Sequence, residues 1–173
     1  MPVDPSGVPT GAGVFIDATV FMGMHSSDQA VRRACKRFFV GRLAGGVTMS
    51  WEQVGRCDDL VWGYSRAVQD AYYPFMDVLH TEMSIARVGY DEDDAGRAFS
   101  TPALAGLPSH ERLLLGQVLS RSGLLYTVSP RLAGRDGLPV AAVPEAPVED
   151  AFPEHLEKLY QDSLVLTVEP ATL

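Results

Sequence analysis

A chain of 173 residues, 46% hydrophobic and 21% charged, has the size and composition of one globular domain and is neither fibrous nor disordered. Its net charge of -8 argues against a broad nucleic-acid-binding face, since affinity for a phosphate backbone comes from Lys and Arg, although a local basic groove is still allowed. No apolar run reaches the roughly 18–20 residues of a membrane span and no signal-peptide pattern opens the chain. Cys35 and Cys57 lack metal-binding or CxxC spacing, so buried free thiols in a cytoplasmic protein with no membrane partner are expected.

Residues 1–12, with Pro2, Pro5, Pro9 and three glycines, read as a flexible arm. A first strand follows at about 13–17 and ends on Asp17. Asp28 caps a helix of about 29–43, in which Val31, Ala34, Cys35 and Phe38 recur at helical spacing, and Gly45-Gly46 closes it as a left-handed cap. Val47–Met49 makes a second strand. Ser50 then starts a helix of roughly 51–70, Pro74 interrupts, and Phe75–Met83 form a further helical stretch. An extended segment at Ile85–Val88 precedes the acid-rich start of a helix at about 92–99. A strongly apolar helix spans 110–122, Gly123 stops it, and Leu124–Thr127 is a third strand.

Pro and Gly become frequent after that point. Val140–Val143 reads as an edge strand, Phe152–Gln161 as a helix and Leu164–Val168 as a last strand. Strands separated by helices imply a three-layer α/β/α fold with a central parallel sheet, because parallel strands need helical crossovers.

Four carboxylates stand out as candidate catalytic residues. Asp17 ends a buried strand, where open parallel sheets place their ligands, although a carboxylate there also caps a turn. Asp58 falls within the apolar stripe of its helix, between Val54, Val61 and Trp62, while Glu52, Arg56 and Asp59 share the other face. Glu52 stands in the first turn near a strand end, and Glu111 heads the apolar helix beside another. Carboxylates gathered in one pocket need a cation, a proton or hydrogen-bond donors, and Mg²⁺ or Mn²⁺ is the usual cation for oxygen ligands. His110, next to Glu111, is a candidate acid or base or a surface residue at a helix start, His25 is a candidate to edge the cleft, and Trp51, Trp62, Tyr64, Tyr72 and Tyr73 are candidates to stack bases or to pack in the core. No GxSxG, Walker-type, HExxH or GxGxxG motif occurs.

One combination carries a family resemblance: Asp17-x-x-Val20 after a strand; Thr48-Met49-Ser50-x-x-Gln53-Val54 opening a helix; Glu111 heading an apolar helix; and Gly123-Leu124-Leu125-Tyr126-Thr127-x-Ser129-x-x-Leu132. This pattern resembles a PIN domain over residues 13–132, with 133–173 left as a Pro-rich C-terminal extension packing on the same domain. The resemblance implies a Mg- or Mn-dependent ribonuclease acting on single-stranded RNA, with Asp17 and Glu111 as metal ligands and Thr127 and Ser129 toward the substrate. The second acid stays open: its usual position falls on Arg56, with Asp58 two residues on and Glu52 four before. Ser129 stands where the family has a late Asp, which removes a charge from the site, and Asp136 is the nearest replacement.

The alternative is a non-catalytic binding or regulatory module for a protein or small-molecule partner, and a third reading is other metal or acid–base chemistry on a small substrate. The Leu164–Val168 strand, free to extend a sheet edge, makes a homodimer the expected assembly.

Overall fold

Five short strands, β1 (Val14–Ile16), β2 (Thr48–Ser50), β3 (Ala86–Val88), β4 (Leu124–Thr127) and β5 (Val140–Ala142), lie in one all-parallel sheet in the order β3-β2-β1-β4-β5. The structure is a computed structural model and describes residues 13–172; the arm expected over 1–12 lies outside the described residues. Eight helices accompany the strands among those residues: α1 (Ala18–Gly23), α2 (Gln29–Val40), α3 (Trp51–Trp62), α4 (Arg66–Glu82), α5 (Glu92–Ser100), α6 (Ser109–Ser120), α7 (Pro130–Ala133) and α8 (Glu154–Ser163).

Strand β1 is fully buried, and its side chains alternate between two cores as the period of two requires. Val14 and Ile16 face the larger core, with Phe21, Phe39, Cys57, Tyr72, Phe75, Leu79 and Tyr160 from α1, α2, α3, α4 and α8. Phe15 faces the smaller one, with Leu114, Leu115 and Val118 of α6, Leu132 of α7 and Leu125 of β4. Helices thus cover both faces of the sheet, and the fold is the expected three-layer α/β/α arrangement.

Several boundaries differ from expectation. Helix α1 was not foreseen: Asp17 caps it, accepting from the Thr19 and Val20 backbone N–H groups. Helix α2 stops at Val40 rather than 43, and the left-handed Gly46 (φ +71°) belongs to the turn into β2. The helix expected over 51–70 is two helices, because the Ser65 side chain accepts from Val68 N and caps a new one after Gly63-Tyr64. Pro74 sits inside α4 and does not interrupt it. An interior proline costs about 3 kcal/mol, but burial of Tyr72, Phe75 and Leu79 on one face of α4 returns about 1.5–3 kcal/mol each.

The C-terminal region departs most. Leu164–Val168 is not a strand. It makes a single bridge to Ser26, in which Ser27 N donates to Val168 O at 2.9 Å and Val168 N donates to His25 O at 2.8 Å. With Leu166 and Val168 buried in the chain's own core, this segment offers no edge to a second copy, and the dimer expected through it loses its basis. Residues 133–172 are built into the domain: β5 pairs with β4, α8 packs on α4, and Tyr160 Oη donates to Met24 O at 2.8 Å.

Candidate functional site

Connections leave β1 toward β2 and β3 on one side, while β4 and β5 lie on the other, so β1 and β4 flank the point where strand order reverses. Ligands of open parallel sheets sit outside the strand ends at such a point. A cavity of about 250 Å³ opens there, lined by Asp17, Thr19, Gln53, Arg56, Asp59, His110, Glu111, Ser129, Arg131 and Thr172 among others. Its volume is just below the about 300–1,000 Å³ of ordinary small-molecule pockets.

Each wall comes from a strand end or a helix start. Asp17, 3% exposed, follows β1 directly. Its Oδ1 accepts from Thr19 N (3.0 Å), Val20 N (3.2 Å) and Thr19 Oγ1 (2.5 Å), and its Oδ2 accepts from Thr127 Oγ1 (2.5 Å) at the end of β4. Thr127 Oγ1 in turn accepts from Ser129 N at 3.0 Å, and Thr19 Oγ1 from Val128 N at 2.9 Å, so the two loops are stitched together across the switch point. Burial pushes the Asp17 carboxyl up from its ordinary value, and the hydrogen bonds from Thr127 and Thr19 oppose that rise. At the turn from β2 into α3, Ser50 Oγ accepts from Gln53 N (3.1 Å), which aims Gln53 Oε1 back to accept from Ala18 N (2.9 Å).

Glu111, in the first turn of α6, is held by Arg131 of α7: Arg131 Nε lies 3.1 Å from both carboxylate oxygens and Nη2 also donates to Oε1. This is a charge-assisted fork, the strongest ordinary way to occupy a carboxylate. Arg56 and Asp59 enter from α3, and neither forms an ion pair among the described residues. Pro108, preceding α6, has no side chain able to cap it, so the first N–H groups of that helix carry no side-chain cap beside the cavity wall formed by His110 and Glu111.

The structure therefore brings together Asp17, Glu111 and Ser129, with Thr127 holding Asp17 from behind. It does not bring in the other two acids. Asp58 accepts from Tyr73 Oη at 3.2 Å, and Glu52 accepts from Tyr90 Oη at 3.1 Å; neither lines the cavity. Asp58 lies along the stripe that packs against α4, on the side of α3 away from the cleft, whereas the surface-reading Arg56 and Asp59 are the ones turned to it. Asp136 is exposed and outside the lining, so it does not replace a charge at Ser129.

His25 is a core residue, not a cleft edge: its Nε2 lies 2.8 Å from Ser163 Oγ, its ring meets Tyr72, Phe75 and Tyr160, and burial pulls its pKa down to about 3. Cys35 and Cys57 are buried free thiols whose ionisation burial pushes up. The sequence reading missed Thr19, Gln53, Arg131 and Thr172. Thr19 and Gln53 carried a legible signal, as cap-and-turn residues two or three positions after Asp17 and Ser50. Arg131 and Thr172 depend on how distant segments return.

The donor set does not fit a divalent cation. Among the described residues no three His, Cys, Asp or Glu side chains come together in a way that can hold a metal ion. Asp17 already accepts four hydrogen bonds, a cation at Glu111 would displace Arg131, and Ser129 brings no charge. Among the described residues no helix is long and apolar enough to cross a membrane.

No curated protein matches the chain. One family profile does, and it corrects the resemblance read from the sequence: over residues 8–173 the match is to a family described as of unknown function, not to PIN domains, whose short motifs recur by spacing alone. With 8–173 spanning nearly all of its length, the chain belongs to that family, DUF6190.

Proposed function

We propose that the chain is a non-catalytic binding module whose switch-point cleft takes a small anionic molecule carrying a phosphate or carboxylate group. The observation that carries this reading is the division of labour among the charges. Asp17 is engaged by threonine and backbone donors and Glu111 by Arg131, whereas Arg56, with Asp59 three residues on, lines the cavity without an ion-pair partner among the described residues. The N-terminal end of α6, without a side-chain cap, adds backbone N–H donors and the positive end of a helix dipole to the same wall. Arg131 has Nη1 to spare beyond its fork with Glu111, and a planar guanidinium suits a phosphate or carboxylate better than a lysine would.

Isothermal titration with inorganic phosphate, citrate and adenosine monophosphate tests the reading. Saturable binding of at least one of these at one site per chain is expected, weakened about tenfold or more by Arg56→Ala, since a charged hydrogen bond contributes about 1.5–3 kcal/mol. Absence of binding by all three, or cleavage of a single-stranded RNA probe that depends on Mn²⁺ and disappears in Asp17→Asn, overturns it.

A further inference from the structure

Gln53, Arg56, Asp59 and Leu60 of α3 all line the cleft. They fall within about 120° of arc on the helix, and each step of three residues climbs about 4.5 Å along its axis. Gln53, 3% exposed, stands deepest, beside the end of β2, whereas Arg56 and Asp59 are exposed at the open side. One helix face thus runs from the floor of the cleft to its mouth, and its polar side chains change character on the way.

The Gln53 amide has a defined orientation. Its Oε1 accepts from Ala18 N at 2.9 Å, a bond that only the oxygen end can make, so the Nε2 end is left toward the cavity. Nε2 has no acceptor among the described residues and is not sealed from the cavity. A buried amide with its N–H donors unengaged calls for an acceptor from outside the chain.

Arg56 and Asp59 come next, with opposite charge, and neither pairs with the other or with any further described residue. Asp17 and Glu111 are held by their own chain, so among the described residues Asp59 is the lining carboxylate left without a donor. An acid group seated on Arg56 therefore meets a negative charge one step further out. That neighbour repels a ligand with negative charge alone and attracts one with an ammonium group beside its acid, so Asp59 discriminates between the two. Ammonium and carboxylate borne by one carbon suit two side chains one step apart, and an acid group at the far end of the molecule reaches the Gln53 donors. We infer that the ligand of the cleft is an anionic α-amino acid, with its ammonium group on Asp59, its α-carboxylate on Arg56 and its side-chain acid toward Gln53. This rests on the anionic-ligand reading and narrows it. A cavity of about 250 Å³, below the ordinary range, suits a molecule of that size.

Isothermal titration of the full chain at pH 7 with two matched pairs is the experiment: L-glutamate against glutarate, and O-phospho-L-serine against 3-phosphoglycerate. Each pair shares one skeleton, with and without the amine. The amino compound of at least one pair should bind about tenfold or more tightly than its counterpart, the contribution of a charged hydrogen bond. Asp59→Asn should remove that preference by weakening the amino compound, and Asp59→Lys should reverse it. Asp59 is exposed, so both variants should keep the parent's thermal midpoint. Arg56→Ala should weaken both members of a pair. Equal binding within both pairs, no binding of either amino acid, or a preference that survives Asp59→Asn overturns the proposal. Binding of phosphate or citrate would then leave the anionic-ligand reading in place, whereas failure of every acid removes both.

Discussion

Asp17 is both the end of β1 and the cap of α1, and those two roles set its electrostatics. Its folded pKa is raised above the ordinary 3.8, so the native state binds the proton more tightly than the unfolded chain does. Below pH 3.8 both states are protonated and nothing is lost. As pH rises through the raised folded value, the native state must hold a buried charge and stability falls. Asp17→Asn should therefore unfold at higher temperature than the parent at pH 7, and the gap should close as pH approaches 3.8. Asp17→Ala should instead lose about 0.5–2 kcal/mol with the helix cap, which separates charge from hydrogen bonding.

The buried histidines act with the opposite sign. His25 is held neutral down to about pH 3 and His80 to about pH 4, while the unfolded chain takes up these protons near 6.5. Stability contributed by the neutral rings is full above 6.5 and is lost as pH falls, by about 1.4 kcal/mol per pH unit for each ring. Urea midpoints measured between pH 7 and 5 should show a shallower slope in His25→Gln than in the parent. Residues of this kind were half legible in the sequence. Asp17 and Glu111 could be placed because each stands at the junction of a strand and a helix, where the neighbouring pattern fixes direction. Asp58 could not, since an acid on an apolar stripe points at whichever helix packs there, and that helix, α4, brings its own Tyr73 to meet it.

Among elements, the contact between α5 and α6 is the tightest. A Cβ on Gly116 would stand 2.2 Å from Asp94 O and 2.9 Å from Ala98 N, so only glycine lets the two backbones approach. Asp94 is itself fixed there, in a capping box with Asp91 and in contact with Ser120 and Arg121. Gly116→Ala should lower stability by about 1–3 kcal/mol despite its better helix propensity, read as a drop in thermal midpoint. The periodic helices, the caps at Asp28 and Ser50 and the β4 strand were readable from local chemistry. What escaped were the joints: the break at Gly63-Tyr64-Ser65 and the passage of α4 through Pro74. A proline penalty in an isolated helix is outweighed here by burial against α8, a contact more than seventy residues distant that no local window contains.

For the whole molecule, the segment after α8 is a strap running back beside the residues that follow α1. Leu166 and Val168 are buried by it, and Tyr64 Oη donates to Thr167 O at 2.8 Å. Deleting residues 164–173 should cost about 3–6 kcal/mol for the two buried aliphatic side chains and lower the thermal midpoint by roughly 10 °C or more. The alternating pattern of Leu164–Val168 suggested a strand because burial every second residue looks the same whether hydrogen bonds join a sheet or a single bridge. The strap has a further consequence for manufacture. Its final turn, Pro170–Thr172, brings Thr172 to the mouth of the cleft, so a purification handle or fluorescent fusion appended after it would emerge beside the cavity and obstruct what enters.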